Sequence, residues 1–255
     1  MKTLRQITAF SVLTCIALAT GAAQAATWTY SGTGPANSAG LSATATAFSA
    51  TNNSTATITA STAYYGGGLG VTSSGESTTS PQHAIDNNGA IETVMISFSN
   101  GVGGLTSADK VNLTSVSFGW ASGDSDFSVY AYTGASSTPT PLGVSYSNLT
   151  SNGWTLIGHY SGNSSGASYN LGTSVYSSNW LVGAYNGLGT ASNTLGAGND
   201  YFKLAAVSGS QCPTSGTLPQ GCGFTPPGNV PEPATLLLMG AGLIGLTRAT
   251  RRKTR

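Results

Sequence analysis

Short runs of alternating apolar and polar residues, separated by Asn-Gly turn signals, constrain the fold of this 255-residue chain most strongly. In the clearest run, Ile91 to Phe98, the side chains of Val94, Ile96 and Phe98 share one face of an extended strand. Similar runs occupy residues 111–120, 127–132, 154–160, 180–185 and 201–207, with turn signals at 87–89, 100–101, 152–153 and 186–187. The pattern predicts an all-β fold, a single antiparallel β-sandwich or jelly-roll domain.

One of these runs changes phase. Val111 and Leu113 share one face, whereas Val116, Phe118 and Trp120 share the other, so we expect a bulge or bend near Thr114-Ser115. We expect Trp120, Trp154 and Trp180 to fill the space between the two sheets, because each large aromatic side chain can bury about 150–250 Å².

The chain divides into four segments on composition. We assign 1–25 as a signal peptide, 26–208 as the β-sandwich body, 209–229 as a Pro/Gly-rich linker and 230–255 as a C-terminal tail. Within the body, residues 31–80 alternate small apolar and hydroxyl side chains. They predict either two outer strands or a loosely packed Ser/Thr/Ala-rich arm.

The N-terminal segment has the three parts of a secretory signal. Lys2 and Arg5 give a positive start, 7–19 is apolar, and the small residues Ala23 and Ala25 frame a site for signal peptidase. Cleavage there would make Ala26 the first residue of the exported protein.

The tail also has three parts. Pro231, Glu232 and Pro233 keep the backbone extended and accessible to an enzyme. The apolar stretch 234–247 has 14 residues and would form a helix of about 21 Å. A full membrane span needs roughly 20 residues, so this helix would be too short to cross comfortably. Five basic residues follow, a flank that stays in the cytoplasm. The tail is therefore suited to transient anchoring in a membrane.

This tail resembles the PEP-CTERM sorting signal that exosortase-type membrane peptidases process in Gram-negative bacteria. The body resembles a family of exosortase-dependent surface proteins at 82–89, 119–126, 129–134, 153–160 and 180–186. The resemblance implies processing at Pro231-Glu232-Pro233 by an exosortase-type peptidase. It also implies a route through the inner membrane, with transient anchoring by the C-terminal helix, to the cell surface or extracellular space.

The charge of the body argues against nucleic acid as a partner. Seven of the nine Lys and Arg residues lie in the two terminal segments, which leaves two lysines and seven acids between residues 26 and 229. The body charge is therefore near −5, and its dispersed lysines offer no patch for nucleic acid.

Two cysteines, Cys212 and Cys222, remain after removal of the signal peptide. A disulfide is the default for such a pair outside the cytoplasm. A metal site is the alternative, although no histidine lies nearby.

Asp124 and Asp126 follow a predicted strand and are the best candidates for metal-binding chemistry. Together with Asp86 they could hold Ca²⁺, which binds six to eight oxygen ligands. The alternative is an Asp-rich turn capped by its own side chains. No other cofactor is expected.

The sequence offers no paired acid and base, so we expect no enzymatic activity. Two functions remain open. The first is a structural role in the envelope or exopolysaccharide matrix, and the alternative is a carbohydrate-binding module that presents Tyr and Trp side chains. Buried aromatic residues would favour the first and an exposed aromatic row the second.

Overall fold

The structure is a computed structural model that describes residues 25–77, 79–81, 83–101, 109–188, 195–196, 198–213 and 218–222. Within them the chain is all-β and forms two antiparallel sheets. No helix among the described residues is long and apolar enough to cross a membrane. Most of the predicted signal peptide and the whole of the predicted C-terminal helix lie outside these residues.

The first sheet is built around β14. Its strands are β1 (Ala25–Thr29), β5 (Thr62–Tyr65), β6 (Leu69–Thr72), β7 (Ile85–Asp86), β9 (Val111–Ala121), β12 (Ser168–Asn170) and β14 (Tyr201–Gln211). Their order is β12-β9-β14-β6-β5, and β1 and β7 also pair with β14.

The second sheet has the order β11-β10-β13-β8-β3-β2, and β4 also pairs with β3. Its strands are β2 (Ala36–Ser38), β3 (Leu41–Thr51), β4 (Thr59–Ala60), β8 (Ala90–Ser99), β10 (Phe127–Tyr132), β11 (Trp154–Tyr160) and β13 (Asn179–Ala184). Residues 31–80 thus contribute five strands, β2 to β6. Strand β3 lies inside the sheet, because it pairs with β8 along its whole length and with β2 and β4 on its other side.

The main apolar core lies between the sheets. Both sheets contribute alternate residues to it, among them Val116 and Phe118 from β9 and Val94 and Ile96 from β8. A second core covers the outer face of the second sheet and includes Trp154. The prediction for the three tryptophans was therefore right only for Trp180, which lies between the sheets.

Two bulges on β9 interrupt its pairing with β14, and the second explains why Trp120 lies outside the core. Ser208 pairs with Ser115 but Gly209 pairs with Leu113, so Thr114 is unpaired and the predicted bulge is confirmed. A second shift leaves Gly119 without a partner between Phe118 and Trp120. This bulge interrupts the alternation and leaves Trp120 half-buried rather than in the core.

The folded unit extends further than the boundary at residue 208 suggested. Strand β14 continues to Gln211, and Cys212 and Cys222 are both buried. The two cysteines form a disulfide, which confirms the predicted bond. Lys110 reinforces this region by donating its Nζ proton to the Gly221 carbonyl at 2.7 Å. The described residues assigned to the linker, 209–213 and 218–222, therefore belong to the compact unit that ends at Cys222, and residues 223–229 lie outside the described residues.

Candidate functional site

Six of the seven acidic residues of the body lie at one end of the sandwich. This end is formed by β7, the first residues of β8, β10 and β14 and the last residues of β9 and β13. We call it the acidic end, and its members are Glu76, Asp86, Glu92, Asp124, Asp126 and Asp200. The seventh acid, Asp109, precedes β9 at the opposite end and accepts a hydrogen bond from the Asn100 backbone at 2.7 Å.

Three of these acids form what we call the Asp200 group. Asp124 and Asp126 precede β10, Asp200 precedes β14, and one carboxylate oxygen from each lies within 4.8 Å of the others. Asp126 and Asp200 are almost fully buried, at 2% and 1% exposed. Because oxygen ligands at this spacing suit a hard cation, the group could hold one.

Backbone donors satisfy much of the Asp200 group. The Asp126 N–H donates to Asp200 Oδ1 at 2.7 Å, and the Gly162 N–H donates to Asp126 Oδ1 at 3.1 Å. A Cβ on Gly162 would lie 2.2 Å from the Ser125 carbonyl oxygen, so the close approach of this loop requires glycine. The group is thus held by backbone donors from two separate segments, those of Asp126 and Gly162.

The remaining three acids form what we call the Glu92 group. Glu92 has the same parity on β8 as Val94, Ile96 and Phe98, so its carboxyl group points between the sheets. Its Oε2 accepts the Asp86 N–H at 3.2 Å. Glu76, in the loop after β6, is only half-buried and forms the rim of the group.

Asparagine 87 connects the two groups. Its Nδ2 donates to Asp200 Oδ2 at 2.5 Å and to the Tyr185 carbonyl at 3.2 Å. In return, the Asp200 N–H donates to Asn87 Oδ1 at 2.8 Å. Because Asn87 directly follows Asp86 on the chain, it links the Asp200 group to the Glu92 group through the backbone.

Burial raises the pKa of several of these carboxyl groups, because a dry environment disfavours the charged form. It raises the pKa of Asp200 to about 7, and the nearby Asp124 and Asp126 carboxylates add to the effect. In the Glu92 group, burial raises the pKa of Asp86 to about 7. Burial also raises the pKa of Glu92 to about 10, with a further contribution from Asp86 and then Glu76.

The two lysines of the body direct their ammonium groups at backbone carbonyls. Lys203, which is 5% exposed, donates to the Gly66 carbonyl at 2.6 Å and lies 4.7 Å from the centroid of the Tyr64 ring. Lys110 donates to the Gly221 carbonyl, far from the acidic end. Neutralisation of the acidic end must therefore come from protons, solvent or a bound ion.

The structure distributes the predicted metal ligands between the two groups. Asp124 and Asp126 lie together, as expected, but their third partner is Asp200, whereas Asp86 contacts Glu92. A Ca²⁺ ion at Asp124 and Asp126 stays a prediction. Asp200 is 74 residues from Asp126 and carries no local signal. Glu92, by contrast, has a signal in the sequence, since an acid on the apolar face of a strand is costly unless something satisfies it.

One Ser–His contact has the composition of a catalytic pair. Ser128 Oγ lies 2.8 Å from His159 Nδ1 across β10 and β11, and burial lowers the pKa of His159. Ser128, however, is 1% exposed and its Oγ accepts the Asn186 N–H at 3.2 Å. A nucleophile must be reachable by substrate, so this geometry serves to join strands.

The predicted processing residues lie at the limits of the described chain. Ala25 is the first residue of β1 and pairs with Ser210, so cleavage after Ala25 would leave Ala26–Thr29 paired with β14. Ala23, Pro231, Glu232 and Pro233 lie outside the described residues.

Comparison with known proteins identifies the tail. Residues 229–253 match the PEP-CTERM protein-sorting motif, which confirms the resemblance seen in the sequence. No curated protein and no solved structure matches the chain. The motif indicates exosortase-dependent sorting, with export to the surface or extracellular space, while the likeness of the body to exosortase-dependent surface proteins stays a prediction.

Proposed function

We propose that this exosortase-sorted protein has a structural role in the envelope or exopolysaccharide matrix of a Gram-negative bacterium. Signal peptidase would release the N-terminus after Ala25, the tail would hold the precursor briefly in the inner membrane, and an exosortase-type peptidase would then cut near Glu232. The body that reaches the surface would be the β-sandwich. The proposed role requires no catalysis and no partner beyond matrix polysaccharide and the processing enzymes.

The burial of the aromatic side chains is the observation that carries this proposal. Among the described residues every Phe and every Trp except Trp120 is buried, and the Tyr side chains are buried or half-buried. The exposed large apolar side chains in the same part of the chain are Leu142 at 47% and Leu218 at 42%, in separate loops. A sugar-binding face built on an exposed aromatic row is therefore not favoured.

The outer surface of the sandwich carries uncharged hydroxyl pairs instead. Hydroxyl groups face each other across strands at Thr27 and Ser208 (2.8 Å), Ser117 and Ser168 (3.1 Å) and Thr133 and Thr155 (2.7 Å). Such pairs stabilise neighbouring strands and present a hydrated, nearly charge-free face. That surface chemistry suits a protein embedded in polysaccharide, where strong patches of charge or apolar area would cause aggregation.

The sorting step can be tested with Glu232→Ala, with Thr235→Ala as the matched control just outside the tripeptide. We expect the Glu232 variant to accumulate uncut in the inner membrane and the Thr235 variant to reach the surface like the wild type. Immunoblots of membrane and surface fractions would measure both. Normal release of the Glu232 variant would rule out exosortase processing at this tripeptide.

A carbohydrate-binding module is the alternative, and one cavity favours it. The cavity has a volume of about 350 Å³, lies beside the acidic end and is lined by four asparagines and Tyr185. Amide groups can hydrogen-bond sugar hydroxyls from a concave site. Binding of the surface-recovered protein to its own matrix polysaccharide, lost in Asn186→Ala but retained in Asn152→Ala, would support the alternative. Absence of binding in the wild type would exclude it.

A further inference from the structure

The chain enters and leaves the folded body at the same end of the sandwich, opposite the acidic end. Strand β1 is antiparallel to the last part of β14, and its first residue, Ala25, pairs with Ser210. The Cys212–Cys222 disulfide follows directly after β14, with its two Cα atoms 5.5 Å apart. Because paired Cα atoms are about 5 Å apart and consecutive ones about 3.8 Å, Ala25 and Cys222 lie within about 20 Å of each other. We call this the disulfide end.

Strand β1 is a fixed part of the body rather than a loose extension. Trp28 on this strand is 0% exposed, and its Nε1 donates to the Leu41 carbonyl at 3.2 Å. Its ring contacts the Phe98 ring, with 4.7 Å between the ring centroids. The point where the chain enters the body is therefore held at the disulfide end by core packing, as the point where it leaves is held by the disulfide.

The acidic end lies a full strand length away from the disulfide end. Strand β14 has 11 residues and runs from Tyr201 at the acidic end to Gln211 at the disulfide end, which gives a separation of about 35 Å. Charge is divided in the same way. Among the described residues, the disulfide end contributes Asp109, which is 1% exposed, and Lys110, whereas the other six acids of the body lie at the acidic end. The disulfide end is therefore nearly neutral.

The length of chain between the body and the tail limits how the body can be oriented at a membrane. Residues 223–233 separate Cys222 from the apolar stretch that begins at residue 234. A chain of this length spans at most about 36–40 Å when fully extended. If the acidic end faced the membrane, the disulfide end would stand about 35 Å away from it. The connecting chain would then be almost fully stretched, at a large cost in conformational entropy.

Electrostatics favours the same orientation. A bilayer surface that contains anionic lipids repels negative charge, and this repulsion decays within a Debye length of about 8–10 Å. With the nearly neutral disulfide end toward the lipid, the carboxyl groups of the acidic end are about 35 Å away and escape the repulsion. In the opposite orientation the same carboxyl groups would face the lipid head groups.

We propose that the membrane-held precursor is oriented with its disulfide end toward the lipid surface and its acidic end away from it. The orientation rests on the tail anchoring of the proposed function and adds which surface of the body meets which surroundings. Both processing cuts, after Ala25 and near Glu232, are then made on the side of the disulfide end. The acidic end stays clear of the membrane and of the processing enzymes, and it is the part of the body that the surrounding matrix meets first.

Two exposed serines in loops provide matched probes for the two ends. Ser174 lies between two residues whose carbonyls accept the Asn112 side-chain amide at 2.9 and 2.8 Å, and Asn112 pairs with Ser210 near the end of β14. Ser164 lies in the loop whose backbone donates to Asp126 at the acidic end. Replacing either serine with cysteine therefore places a thiol at one end without disturbing the core.

Fluorescence quenching in lipid vesicles tests the orientation. Ser174→Cys and Ser164→Cys are each introduced into the Glu232→Ala precursor, labelled with a thiol-reactive fluorophore and reconstituted into vesicles that contain a phospholipid with a nitroxide head group. Intact mass should show one label per chain, which verifies that the native disulfide has not exchanged. We expect quenching at residue 174 and little or none at residue 164, because a nitroxide quenches only fluorophores that approach it closely.

Three results would overturn the orientation and leave exosortase sorting untouched: equal quenching at the two positions, stronger quenching at residue 164, or quenching at neither. Flotation of the vesicles separates this failure from a failure of the proposed function. A labelled chain that does not float with the vesicles lacks the tail anchoring that the proposed function requires, and the orientation fails with it.

Discussion

The two ends of the sandwich are held together by different chemistry. At one end, the Cys212–Cys222 disulfide and the Lys110 ammonium group bind the last turn of the folded unit to β9 and β14. At the acidic end, hydrogen bonds from amide and backbone N–H groups to carboxylates hold the segments together without a covalent bond. A body with two lysines cannot neutralise its acids by ion pairs, so it collects them where backbone N–H groups, protons or an ion can do so.

Replacing Asp200 is expected to lower the free energy of unfolding most, because its carboxylate accepts hydrogen bonds from two buried donors. Asp200→Ala would leave the buried Asp126 N–H and one Asn87 Nδ2 proton without acceptors. We expect the free energy of unfolding to fall by about 2–4 kcal/mol, since each buried unsatisfied donor costs about 1–3 kcal/mol. Urea denaturation would measure the loss. Asp200→Asn, which keeps one acceptor oxygen, should lose less, and equal losses would show that these hydrogen bonds are not the cause.

Loss of the disulfide at the opposite end should lower the free energy of unfolding slightly less. Replacing both Cys212 and Cys222 by Ser opens a loop closed over ten residues of sequence separation. In the chain-entropy model this should lower the free energy of unfolding by about 2–3 kcal/mol. The wild type under reducing conditions serves as the control and should show the same loss. A double variant as stable as the oxidised wild type would mean that packing alone holds this end.

Per unit of pH, the smallest effect is a pH dependence that comes from the carboxyl groups of the acidic end. Asp86 and Asp200 have a folded-state pKa of about 7, above the usual value near 3.9 in an unfolded chain. The folded protein therefore binds protons more tightly than the unfolded chain. This stabilisation is complete below about pH 4 and is lost as the pH rises through 7.

We accordingly expect the Tm of the metal-free protein to be higher at pH 5 than at pH 8. The slope should be at most about 1.4 kcal/mol per pH unit for each group. Differential scanning calorimetry across this range would measure it. Asp200→Asn should reduce the slope, with Asp86 still contributing, whereas the double Cys→Ser variant should leave it unchanged. A Tm that rises from pH 5 to pH 8 would contradict the burial of these carboxyl groups.

The sequence predicted the strands better than the site. Alternation located β10 and β11 with their observed bounds, and the change of phase on β9 predicted the bulge at Thr114. Trp120 was misplaced because the bulge at Gly119 arises from pairing with β14, which is about 80 residues away along the chain. Strand pairing of this kind is a tertiary property, and a local pattern does not contain it.

The same reason explains what was missed at the acidic end. Asp124 and Asp126 are neighbours in sequence and could be grouped from it, but Asp200 joins them through tertiary contacts, the parallel bridge to Asp124 and the hydrogen bond from the Asp126 N–H. Asp86 was grouped with Asp124 and Asp126, whereas its N–H donates to Glu92, whose position is defined by the side on which β8 faces the core. The face of β8 was predicted correctly, so Glu92 could have been found by asking which residue on that face carries a charge.

The intact mass of the protein recovered from the cell surface tests exosortase processing most directly. We predict a chain that begins at Ala26, ends close to Pro231-Glu232-Pro233 and lacks the two thiol hydrogens of Cys212 and Cys222. Any covalent attachment made during sorting would appear as added mass on that C-terminus. A surface protein whose mass still includes residues 234–255 would contradict processing by an exosortase, and with it the proposed route to the envelope.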